Sequence, residues 1–205
     1  MKEKDIIFTA RVMSMVFTPF YLPLVGLMAL FIFSYLSMYP FAYKLIVLTM
    51  VYLFTILLPT LLIHVYRRYQ GWTLIDLGVK ERRMVPYIIS IICYFTCYYL
   101  MHALHIPHFM SSILVAALII QMLCALVNVW WKISTHTAAI GGVFGAIMAF
   151  AEIFGYDPTW WLSFVLLLSG MVGTSRMILR QHSLAQVLTG FLLGVFSAFI
   201  VILCF

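Results

Sequence analysis

Acidic residues are scarce. Of 205 residues, 6 are Asp or Glu against 12 Lys or Arg, and charged residues make up 9% of the chain, well below the ~25% of a soluble domain. With 65% hydrophobic residues and a mean hydropathy of +1.12, that scarcity excludes a water-soluble domain and leaves an integral membrane protein. The period-two alternation of a membrane barrel is missing as well. The apolar stretches instead approach the ~20 residues that cross a bilayer as a helix, where every backbone polar group is satisfied internally. No soluble domain, long linker, low-complexity tract or clear internal repeat interrupts them, so a single membrane domain accounts for residues 1–205. Cys93, Cys97, Cys124 and Cys204 fall inside apolar stretches without ligand-like spacing. They are expected to be reduced and buried, and they say nothing about compartment.

What is present predicts an all-α, polytopic transmembrane helix bundle of six to seven spans, at 12–35, 43–66, 86–104, 109–131, 137–154, 160–174 and 184–205. The first span contains Pro19 and Pro23. Prolines in a membrane helix are tolerated when neighbours satisfy the freed backbone groups, so this segment is either a kinked crossing or a re-entrant, tilted element. Lys2, Lys4 and Arg11 before an apolar run imitate a signal peptide, but the run is too long for one and lacks a small-x-small cleavage site. It is read as an uncleaved anchor.

Three inter-span segments hold most of the polar chemistry: "DLGVKERRMVP" at 76–86, "KISTHT" at 132–137 and "SRMILRQHSLAQ" at 175–186. Each neighbouring pair is separated by two spans, so a chain that crosses and returns brings all three to one face. Lys80, Arg82, Arg83, Lys132, Arg176 and Arg180 then gather there with His136 and His182. Cations at that density repel one another unless an anion such as phosphate sits among them. The topological alternative is that Lys and Arg simply mark a cytoplasmic face. It leaves the two histidines, and the Ser134, Thr135 and Thr137 around one of them, without a role. His182 and Gln186 are four apart and share a helical face, whereas Arg176, six before His182, reaches the same ligand only if the helix breaks between them.

These residues resemble the type-2 phosphatidic acid phosphatases, membrane relatives of glucose-6-phosphatase and the vanadium haloperoxidases. That family carries K-x6-R-P, then P-S-G-H, then S-R-x5-H-x3-D. Ser175, Arg176 and His182 match the third motif at its spacing, with Gln186 where the aspartate belongs. In the second motif Ser134 and His136 match, while Ile133 and Thr135 replace proline and glycine. The first survives loosely in Lys80, Arg82, Arg83 and Pro86. The resemblance covers a motif-bearing core of about 76–205.

The resemblance implies a lipid phosphate phosphatase in which His182 attacks phosphorus and His136 protonates the leaving alcohol. Imidazole suits both roles because its pKa near ~6.5 lets it exist in either state at neutral pH. Arg176 would hold the phosphoryl oxygens, helped by Ser134, Thr135, Lys80, Arg82 and Arg83. No cofactor and no metal are implied, and two histidines without a nearby Asp or Glu make a poor metal site in any case. The implied partner is a membrane-embedded lipid phosphate: an isoprenyl diphosphate, phosphatidate, phosphatidylglycerol phosphate or lipid A phosphate. Nucleic acid is not implied. Gln186 keeps a hydrogen-bond acceptor behind His182 but lacks the charge, which leaves a second reading, a family member that binds or transports phospholipid without cleaving it.

The remaining polar residues have structural readings. Gly141 and Gly145 form a G-x-x-x-G suited to close helix packing, and Asn128 and Gln121 are expected to hydrogen-bond between helices. Trp130, Trp131, Trp160 and Trp161 fit the membrane-water interface. The expected location is the bacterial inner membrane. Counting Lys and Arg puts the motif face in the cytoplasm, whereas relatives mostly work on the extracytoplasmic side, so the two criteria give opposite orientations.

Overall fold

The computed structural model describes residues 3–33, 35–71 and 84–205. Among them there is no strand, and nine α-helices follow one another: α1 Glu3–Val16, α2 Leu22–Phe33, α3 Phe41–Tyr52, α4 Leu58–Tyr69, α5 Met84–Ala103, α6 His108–Trp130, α7 Thr135–Phe154, α8 Thr159–Ile178 and α9 Leu184–Cys204. Helices α3 and α4 join through a π-helical turn at Leu53–Leu57 into one 29-residue span. Pro59 explains the turn, since its ring lacks the N–H that an α-helical ladder needs at that point. Six helices among the described residues are long and apolar enough to cross a membrane: this combined span and α5 to α9.

The interruption expected at Pro19 and Pro23 is present. The first segment divides into α1 and α2, with Pro19 in the break and Pro23 in the first turn of α2. A proline disfavours helical geometry in the residue before it and is well placed at a helix start. Helix α2 has 12 residues, about 18 Å at the helical rise, and is too short to cross a ~30 Å core alone. Helix α1 lies along α8.

The tightest contact in the bundle joins α7 to α9. Four glycines make it, and two of them, Gly190 and Gly194, form a second G-x-x-x-G beside that of Gly141 and Gly145. A Cβ on Gly141 or Gly145 would strike the backbone of Phe191 or Val195, and one on Gly194 would strike the backbone of Ala138 and Gly142. Between apolar helices in lipid, close backbone approach supplies the attraction that water supplies elsewhere.

The core centres on α5, α6 and α7, with Tyr94, Met101, Met110 and Leu114 fully enclosed. Asn128 of α6 reaches α5, its Nδ2 donating to Met84 Sδ at 3.7 Å, as expected of an interhelical polar contact. One cysteine departs from expectation: Cys93, Cys97 and Cys124 are buried, but Cys204 is exposed because it ends α9, beyond the packed part of that helix.

Candidate active site

Ser134 and Ser183 start the two helices that carry the second and third motifs. Each is an N-cap: Ser134 Oγ accepts from the Thr137 amide at 3.5 Å and Ser183 Oγ from the Gln186 amide at 3.4 Å. Such caps satisfy amides that a helix start leaves without an internal partner. The two starts are tied together, because the Ser134 amide donates to the Gln186 carbonyl at 3.4 Å. Gly190 permits this approach; a Cβ there would lie 2.6 Å from the Ser134 carbonyl oxygen and 2.7 Å from Thr137 Oγ1. The expected convergence of the second and third motifs is therefore present. Lys80, Arg82 and Arg83 lie outside the described residues.

The expected break between Arg176 and His182 is also present. Helix α8 stops at Ile178 and α9 starts at Leu184. Arg180 takes the left-handed conformation in between, with φ +52°, which a helix-ending position favours and most side chains resist. Arg176 sits in the last turn of α8 and His182 just before α9. Both are buried, at 7% and 6% exposure, depths at which an arginine needs an anion or a set of acceptors. Arg180 is exposed and borders a shallow cleft with Arg11. Thr135 and His136 form the first turn of α7 and line a partly open cavity between the helices.

Gln186 has two partners at one atom. Its Oε1 lies 3.1 Å from His182 Nδ1 and 3.2 Å from the Ser183 amide nitrogen. A backbone amide can only donate, so the atom facing it is the amide oxygen and not the NH2 group. The same oxygen must then accept from His182, which places the imidazole proton on Nδ1 and makes Nε2 the basic nitrogen. Gln186 thus closes a capping box with Ser183 and sets the tautomer of His182 with one oxygen.

Arg176 has a partner that spacing could not reveal. Its Nη1 donates to Ser14 Oγ at 2.5 Å, across 162 positions of sequence. The amino-terminal helix α1 therefore takes part in holding the guanidinium. No local signal marks Ser14, whose role depends on α1 packing beside α8.

A buried arginine at the end of α8 and two histidines at the paired starts of α7 and α9 are the kinds of group that hold and attack phosphate. Residues 129–205 match the family model of the PAP2 superfamily. The matched segment takes in the end of α6 and all of α7, α8 and α9, hence the second and third motifs. It supports a membrane lipid phosphatase at the level of the family. No curated protein and no solved structure matches the chain. Among the described residues no group of His, Cys, Asp and Glu could hold a metal ion.

Proposed function

We propose that the protein hydrolyses a phosphomonoester or diphosphate of a membrane lipid through a phosphohistidine. The observation that carries this reading is the buried His182, its Nδ1 3.1 Å from Gln186 Oε1, at the start of a helix tied to the one bearing His136. Nε2 of His182 forms a bond to phosphorus as the bond from phosphorus to the lipid oxygen breaks, and His136 gives that oxygen a proton. Water then attacks the phosphohistidine, His136 takes the proton from the water, and phosphate leaves with His182 restored. Arg176 stabilises the charge that builds on the equatorial oxygens, and the amide dipoles at the starts of α7 and α9 favour the same anion.

The test is phosphate release by detergent-solubilised protein from a panel of lipid phosphates, with and without vanadate. Vanadate adopts the five-coordinate geometry of the reacting phosphorus and bonds to a competent His182, so release that vanadate stops is the expected result. Headgroup binding without release or vanadate sensitivity would overturn the reading in favour of phospholipid binding or transport.

The neutral Gln186 favours that second reading, and one variant separates the two. Glutamate has the length of glutamine and is itself a capping-box residue, so Gln186→Glu keeps both contacts and adds the missing charge. Neutralising the carboxylate behind a catalytic histidine costs ~10⁴ in a serine protease. Here Gln186→Glu is expected to raise release by at least about tenfold, read as kcat/KM. A fall would show that the neutral amide is required where the family aspartate stands.

A further inference from the structure

A cavity of about 850 Å³, open along part of its wall, lies between the helices. On α7 its wall recurs every turn, at His136, Ala139, Gly142, Ala146, Phe150 and Phe154, so one face of the helix borders it from end to end. Those eighteen steps make about 27 Å at the helical rise, close to the ~30 Å of a hydrocarbon core. Helices α2 and α6 supply facing walls, and the lining is mostly apolar. Small residues collect at the His136 end. At the other end the rings of Phe150 and Phe154 meet Tyr156 and Trp161.

The length decides what fits. The tails of a two-chain lipid in one leaflet cover about 15 Å, half the core. They would leave the far half of this cavity without contacts, and an unfilled apolar space forfeits dispersion energy. A continuous apolar cavity that starts at a candidate proton donor and nearly crosses the membrane suits a longer chain.

We propose that this cavity holds the hydrocarbon chain of the lipid phosphate acted on at His136, that the chain exceeds one leaflet in length, as in prenyl phosphates and diphosphates, and that Phe154, Tyr156 and Trp161 form the floor that selects chain length. The position of the headgroup rests on the phosphatase reading; the channel and its floor rest on the cavity.

The test uses the full chain in bicelles and a series of non-hydrolysable prenyl phosphonates of increasing length, each with a diazirine at the chain end. After photolysis, peptide mapping reports where the chain end lies. Label on Ala139 and Gly142 for short chains, moving to Phe154, Tyr156 and Trp161 for those that span the core, is the expected result. Ala146→Phe, which fills the channel midway, should abolish floor label and return it toward His136; Ala146→Leu serves if the larger ring prevents folding. Label on outward-facing Leu167 and Phe196 at every length, or floor label indifferent to both variants, would overturn the proposal. Phosphate release from the parent prenyl diphosphates separates the two inferences. Release without floor label leaves the phosphatase and removes the channel, and floor label without release does the reverse.

Discussion

His182→Ala is expected to lower phosphate release by at least about 10³, because a covalent route loses its nucleophile and the other groups retain only binding and charge stabilisation. The fold should survive. His182 lies in the turn before α9, and the cap of that helix comes from Ser183 and Gln186. Substrate affinity should change far less than kcat, since Arg176 and the two helix starts remain. His64→Ala, at an exposed position on α4, provides a comparison expected to keep its rate. Rapid quenching of wild-type protein with a radiolabelled lipid phosphate should trap an acid-labile, base-stable phosphoprotein that the His182 variant lacks. Undiminished turnover by that variant would mean that phosphate passes directly to water or to another side chain.

A second large effect concerns stability. At Gly194 a Cβ would meet backbone on α7, and backbone cannot rotate aside as the end of a side chain can. Gly194→Val must therefore push α9 from α7, with an expected loss of about 3 kcal/mol, read as a large fall in the thermal midpoint in detergent. Gly170 is the control. It is helical too, but open space surrounds its Cβ position, so Gly170→Ala should be neutral or mildly stabilising through helix propensity, worth about 1 kcal/mol at most. Equal effects at the two positions would mean that the α7–α9 approach does not carry the stability assigned to it.

What could be read from the sequence was local. His182 and Gln186 are four apart, and that spacing pointed to the contact they make, although His182 lies in the turn before α9 and not on a shared helical face. The break after Arg176 followed from the need for two residues six apart to serve one ligand, and Ser134 was recognisable from its match to the second motif. Alternating crossings then brought the second and third motifs together. Contacts between distant segments left no such trace. Ser14 reaches Arg176 only because α1 folds back along α8, and nothing in the amino-terminal stretch signals a polar role. Pro19 and Pro23 marked the first segment as kinked or re-entrant, and the structure divides it there; hydropathy alone does not say which, because it ignores backbone geometry. The cavity was out of reach for a similar reason. Its wall residues on α7 read as ordinary helix until α2 and α6 are placed opposite them, and the small residues that open it are equally common in close-packed helices.

The glycine contact also bears on how the protein behaves in different membranes. Bilayers vary in thickness by several ångströms between compartments, and helices answer by tilting or bending at modest cost. Helices α7 and α9 approach so closely that even one methyl group cannot be accommodated at Gly141, Gly145 or Gly194, and their starts share a hydrogen bond. They must tilt as one body. The adjustment then falls to α3 and α4, whose π-helical turn already loosens the ladder, so the distances around His136 and His182 should be the same in a thin membrane as in a thick one.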